Sequence, residues 1–330
     1  MAEKDKWDTD PDADCYKNSK DFDVGQYGSE WKSIRNNLTW CSYTYWQFKP
    51  FTGRYISVNG DGNRNTTNLR GKPNMRIVIL GGSTVWGVGV KDSDTLPSLL
   101  SAMLHKTGIV AEVTNLGQIG YMTTQDVICL IEYMKKNPLP GYAIFYNGMN
   151  DVLAAVENNR PCVPYNEINR EKEFNLLTRR GDLIKSFYYS VFPAKTKNKM
   201  QQPDFLIDGA LKNYCGNIAL IEAIKNKYNF KPLYYLQPTI FHKKYLSKYE
   251  RQQQQYLKEV KPHIEQFYER IANETALTDI PNFKDISHVL YEIAIPCFVD
   301  CAHLSAEANE IIASEMFVDI MAEINAPVLN

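Results

Sequence analysis

The stretch Arg76-Ile77-Val78-Ile79-Leu80-Gly81-Gly82-Ser83-Thr84 decides the fold. Ile77 to Leu80 is an unbroken apolar run halted by two glycines, the pattern of a parallel strand buried on both faces. Working outward, residues 94–106 carry Leu96, Leu99, Leu100, Met103 and Leu104 at helical spacing, and Val110 to Leu116 reads as a second strand. Thr123, with Asp126 three residues on, predicts an N-cap and an acidic N3 ahead of an amphipathic helix. Tyr142-Ala143-Ile144-Phe145-Tyr146 is a third strand, closed by Asn147-Gly148. Residues 211–229 read as a helix, and Pro232 to Pro238 as a fourth strand ending in a turn. Residues 246–273 read as one long polar helix with Gln252 to Gln255 on its solvated face, and 305–323 as the last helix. This alternation predicts the α/β class, a parallel sheet with helices on both faces.

The flanks divide the chain further. Residues 1–30 are polar and expected to form a poorly ordered lead-in. Residues 31–71 are aromatic and turn-rich, with Asn59-Gly60 and Asp61-Gly62, and predict a β-rich extension packed on a main domain at 72–330. An inserted helical or irregular region is expected near 152–210, including Phe187-Tyr188-Tyr189.

Composition excludes several classes. The 330 residues hold 37 basic and 38 acidic side chains, which argues against a dedicated nucleic-acid binder. With 44% apolar and 23% charged residues the chain is neither disordered nor collagen-like. No run reaches the roughly 18 apolar residues of a membrane helix, and Met1 to Lys6 shows no signal-peptide core. Seven cysteines at scattered spacings form no CxxC, so no zinc or redox motif is read. The 21 Tyr, 14 Phe and 5 Trp would suit a carbohydrate or acyl pocket as well as a core.

Ligands of doubly wound sheets bind beyond the carboxyl ends of the strands. Four segments stand at such ends or before the last helix: Gly81-Gly82-Ser83-Thr84, Asn115-Leu116-Gly117, Gly148-Met149-Asn150-Asp151 and Asp300-Cys301-Ala302-His303. Taken singly, Ser83 reads as a helix cap, Gly117 as a turn, Asn150 as a cap, and Asp300 and His303 as loop residues. Together and in this order they resemble the four blocks of the SGNH (GDSL-like) hydrolase family, across most of residues 76–320. Gly82 stands where the family's best-known first block has Asp. Gly-Gly-Ser-Thr resembles bacterial members associated with surface polysaccharides, as does Tyr45 to Gly53.

The resemblance implies a three-layer, flavodoxin-like α/β/α fold and a serine esterase. Its catalytic residues would be Ser83, Asp300 and His303. Its oxyanion hole would comprise the Ser83 and Gly117 N–H groups and the Asn150 amide. The chemistry fits these residue types. A serine hydroxyl needs an adjacent base, histidine is a base near neutral pH, and an Asp three residues before it can fix its tautomer. Cys301 is the competing nucleophile. Thr84, Trp86, Tyr121 and His242 are candidate pocket residues, and Asp151 is expected to hold its loop. No metal or organic cofactor is expected. The implied substrate is an acylated small molecule or glycan, with an O-acetyl ester favoured and no nucleic acid or membrane partner. The same triad would serve a polysaccharide O-acetyltransferase, and a non-catalytic glycan-binding protein is the remaining alternative. The resemblance also implies work on glycans outside the cytoplasm, although no signal or anchor is read in the chain.

Overall fold

Ile77 and Ile79 point to one side of a strand and Val78 and Leu80 to the other, and all four are fully buried. In the computed structural model, which describes residues 13–17, 21–67, 71–178 and 201–325, that strand is the centre of a three-layer sandwich. Phe187-Tyr188-Tyr189 lie outside the described residues.

The N-terminal part comprises helix α1 (Val24–Ile34) and two antiparallel ribbons, β1 (Leu38–Cys41) with β2 (Tyr45–Phe48), and β3 (Phe51–Thr52) with β4 (Ser57–Val58). The sheet opens with β5 (Met75–Gly81), followed by the one-turn helix α2 (Ser83–Trp86) and by α3 (Leu96–Lys106). Then come β6 (Ala111–Asn115), α4 (Thr123–Lys136), β7 (Tyr142–Asn147), α5 (Met149–Glu157) and α6 (Glu167–Thr178). The chain continues through α7 (Pro203–Tyr228), β8 (Lys231–Leu236), α8 (Lys248–Gln253), α9 (Lys261–Ala272) and the short α10 (Thr275–Thr278). It closes with β9 (Phe283–Asp285) and α11 (Ala306–Asn325). The strands are all parallel in the order β6-β5-β7-β8-β9. This is the flavodoxin-like order, whose direction of winding reverses between β5 and β7.

Each face of the sheet has its own core. Val78, Leu80, Phe145 and Tyr234 pack with α4, α5, α7 and α9. Ile77, Ile79, Ile144 and Tyr235 pack with α3 and α11. Alternation along a fully buried strand puts successive residues into opposite layers, which is why the strands read as continuous apolar runs.

Several expectations need correction. The stretch 21–30 is ordered: Asp23 caps α1 by accepting from Gln26 N, and Tyr27, Trp31 and Ile34 form its buried stripe. Residues 152–157 belong to the buried α5 and 203–210 to α7. The single helix expected over 246–273 is broken into α8, a 3-10 turn at Gln254–Leu257 and α9, whose first turn contains Pro262. Of the glutamine run, Gln252 and Gln255 are exposed as expected, whereas Gln253 is buried and Gln254 donates to Ile240 O. Thr123 is the first residue of α4 rather than its cap; Met122 takes that place, with Gln125 Oε1 accepting from Met122 N. The strand β9 was not expected.

A third core joins the N-terminal part to the sandwich. Tyr27, Trp31, Ile34, Phe48 and Ile56 enclose Trp86, the last residue of α2. Arg64, 1% exposed, fastens the joint. Its guanidinium lies 4.6 Å over the Trp86 ring, pairs with Asp92 at 2.8 Å, and donates to the carbonyls of Tyr55, Trp86, Gly87 and Val90. Removing Arg64 leaves four backbone carbonyls without their donor and the half-buried Asp92 without its partner. Arg64→Met is therefore expected to lower the unfolding free energy by about 3 kcal/mol in urea denaturation. A loss under about 1 kcal/mol, the range of a surface pair, would show that the joint does not depend on it.

Candidate active site

The carboxyl edge of the sheet gathers the site. β5 delivers Ser83 to the first turn of α2. A Cβ on Gly82 would lie 2.3 Å from Asn150 Nδ2, so the asparagine amide occupies the space that a side chain at position 82 would need. A side chain at position 82 would require that amide to shift. Asn150, in the first turn of α5, is held by donation from Nδ2 to Tyr121 O at 2.8 Å.

The loop before α11 brings in the remaining pair. His303 Nε2 stands 2.7 Å from Ser83 Oγ, and His303 Nδ1 stands 2.6 Å from Asp300 Oδ2. Asp300 Oδ1 accepts from the N–H groups of Ala302 at 2.8 Å and His303 at 2.7 Å. Burial opposes ionisation of this carboxyl, but the His303 ring and those donors outweigh it and hold Asp300 below the usual carboxylate range. An ionised carboxylate only accepts, so Nδ1 carries the proton and Nε2 is left to accept from the serine. Asp300 and His303 are 2% and 3% exposed, so water competes little for either contact.

The structure separates other candidates from this group. Gly117 does not face the site. Its N–H donates to Asn115 Oδ1 at 3.0 Å, and a Cβ there would lie 2.5 Å from Trp86 N. Its lack of side chain serves the packing of α2, which Asn115 Nδ2 also ties down through Val85 O at 2.9 Å. Gly120, three residues later and not singled out from the sequence, borders the cavity beside Ser83, with φ +68°. The positive φ is the signal of a glycine required by the backbone, and it is not visible in a sequence.

That cavity has a volume of about 620 Å³. Thr84 lines it, whereas Trp86, Tyr121 and His242 do not. Trp86 is enclosed by Trp31, Phe48 and Arg64. Tyr121 turns its hydroxyl to Trp46 O. His242 is packed between Tyr268 and His288, where burial pushes its pKa down to about 4. Cys301 is fully buried in the core on the α5 side of the sheet, while its neighbours Ala302 and His303 face the cavity. Among the described residues no group of three or more His, Cys, Asp or Glu converges as a metal site, and no helix is long and apolar enough to cross a membrane.

No family model matches the chain, and no curated protein does. Among solved structures, it is similar to an acetyl xylan esterase at 15% identity, covering 74% of this chain and 100% of that one, with a TM-score of 0.44. A member of the lipolytic G-D-S-L family from Veillonella parvula shares 12% identity over 77% of this chain and 100% of that one, at a TM-score of 0.42. An acetylxylan esterase from Geobacillus stearothermophilus shares 12% over 75% of this chain and 94% of that one, at 0.38. Likenesses this distant carry no chemistry across; the strand order and the side-chain geometry stand on their own.

Behind the site lies Asp151, fully buried, accepting from Thr123 N and, at 2.5 Å, from Thr123 Oγ1. Burial pushes its carboxyl up to about 7, and the Thr123 donors offset only part of that. An unfolded Asp titrates near 4. The native state thus holds the proton more tightly, and the stabilisation, full below about pH 4, is lost as pH rises through about 7. Asp151→Asn keeps an acceptor for Thr123 and cannot ionise. It is expected to reduce the fall in Tm between pH 4 and 8 measured by calorimetry; an unchanged fall would mean Asp151 is charged throughout.

Proposed function

We propose that the chain is a serine ester hydrolase of the SGNH type, with Ser83 as nucleophile, His303 as general base and acid, and Asp300 as the group that orients His303. The observation that carries this reading is the unbroken relay from Ser83 Oγ to His303 Nε2 at 2.7 Å and from His303 Nδ1 to Asp300 at 2.6 Å.

The steps follow from that geometry. Ser83 Oγ attacks the ester carbonyl while its proton passes to His303 Nε2. Asp300 stabilises the imidazolium without taking its proton. The tetrahedral oxyanion is met by the Ser83 N–H at the start of α2, the Asn150 amide and the Gly120 N–H, with Gly120 taking the place expected of Gly117. Each such donor is worth on the order of 3 kcal/mol of transition-state stabilisation. The imidazolium returns its proton to the departing alcohol, and an acyl-serine remains. Water, deprotonated by the same histidine, then releases the acid.

The favoured substrate is an O-acyl ester, with acetyl the favoured acyl group, carried on a glycan. The cavity far exceeds the size of an acetyl group, so much of it is left for the alcohol. Trp31, Trp46, Tyr165 and Tyr256 give it flat apolar faces, and Arg35 and Asn36 add polar groups at its side. Sugars are bound by this combination of ring faces and polar groups. The aromatic N-terminal part thus acts as a recognition wall.

The test is hydrolysis of p-nitrophenyl acetate, followed by acetate release from acetylated xylan. Ser83→Ala is expected to lower kcat by at least about 10³-fold with folding intact, and Asp300→Asn by about 10⁴-fold. Retained turnover in Ser83→Ala would overturn the mechanism. Turnover of the aryl ester without acetate release from the polymer would overturn the glycan assignment alone.

A further inference from the structure

Gln237 follows the last residue of β8 and lines the cavity, yet is only 4% exposed. Its backbone is fully engaged: the N–H donates to Asn147 O at 3.0 Å and the carbonyl accepts from Tyr268 OH at 2.9 Å. Its side chain is not. Among the described residues the sole partner of that carboxamide is Met149 Sδ, 4.0 Å from Nε2. A thioether at that distance is a weak acceptor. The same cavity is lined by the apolar Met149, Leu153, Leu257 and Val260 and by the polar Asn150, Glu157 and Glu259. Buried amides are almost always hydrogen-bonded, because an unsatisfied one keeps the full desolvation penalty. A carboxamide that lines an open cavity with only a thioether for a partner is therefore poised for one that arrives from outside.

We propose that Gln237 is a specificity-determining residue that reads a hydroxyl of the substrate, remote from the scissile carbonyl. This rests on the ester-hydrolase reading and deepens it. The sheet fixes the distance. Ser83 follows β5, Asn150 follows β7 and Gln237 follows β8, so the nucleophile and the carboxamide are rooted two strands apart, about 10 Å. For two residues that line the same cavity, a span of that order corresponds to a hydroxyl about four to six bonds from the carbonyl carbon. Such a hydroxyl belongs either to the alcohol half of the ester, as in a sugar, or to the end of a hydroxyacyl chain. A purely hydrocarbon group would leave the carboxamide unpaired and is disfavoured, which is how a buried polar group discriminates strongly between isosteres.

The experiment compares kcat/KM within two pairs of esters. In the alcohol pair, glucose 6-acetate is set against cyclohexylmethyl acetate. In the acyl pair, p-nitrophenyl 6-hydroxyhexanoate is set against p-nitrophenyl hexanoate. Each is measured with the wild-type chain, with Gln237→Met, which keeps the side chain's length and packing, and with Ser83→Ala. The wild type is expected to favour the hydroxylated ester by at least about tenfold in one pair, and that pair names the half of the substrate being read. Gln237→Met is expected to bring this preference below about threefold. The ratio is unaffected by a partial loss of folded protein, which lowers both members of a pair alike. A preference that survives in Gln237→Met overturns the proposal. So does a wild-type ratio near one in both pairs while turnover still requires Ser83; the ester-hydrolase reading then stands alone. Turnover that persists in Ser83→Ala overturns that reading and this inference with it.

Discussion

The geometry of the site depends on one constraint of space. The asparagine amide at the start of α5 and a side chain at position 82 cannot occupy the same volume, since a Cβ there would lie 2.3 Å from Nδ2. Gly82 resolves the conflict, and the serine and asparagine segments close to contact. The same amide donates to Tyr121 O at 2.8 Å, which ties this contact to the loop before α4. An aspartate at position 82 would require Asn150 to move, so the Gly-Gly-Ser-Thr variant and the position of the asparagine are two sides of one packing choice.

The second dependency runs through α2. This helix is one turn long and could not hold its shape alone. Its carbonyls are tied down by Asn115 and Arg64, and its last residue, Trp86, is the hub of the N-terminal core. The serine therefore sits on an element fixed from two sides, by the sheet loop after β6 and by the aromatic N-terminal part. The same N-terminal part supplies Trp31 and Trp46 to the cavity, and Trp31 also belongs to the core that encloses Trp86.

Much of this was legible in the sequence, for definable reasons. Ile77 to Leu80 and Tyr142 to Tyr146 are apolar on both faces because helices cover both, and such runs stand out. Ser83, Asp300 and His303 were legible because each lies in a short local motif. That Gly117 turns toward Asn115 while Gly120 borders the cavity was not legible, since it depends on where the Asn115 amide is directed and on one backbone angle. Phe283 to Asp285 is a three-residue edge strand with two charged side chains, below the length at which periodicity speaks. The helix at Val24–Ile34 was readable, since Asp23 and the spacing of Tyr27, Trp31 and Ile34 are ordinary signals, but the polar surroundings hid it. Trp86 and His242 failed as pocket residues because nearness to a motif does not say which way a ring points.

The hydrogen bond between Ser83 and His303 closes across 220 positions of the chain. A ribosome delivers the serine, the asparagine and both walls of the cavity well before the histidine. Until His303 has emerged Ser83 lacks its partner, and α11 must then dock against α3 to seat the loop that carries it. A chain cut short before His303 would thus lack the hydrogen-bonded relay from Ser83 to Asp300. The relay is completed only late in the order of synthesis.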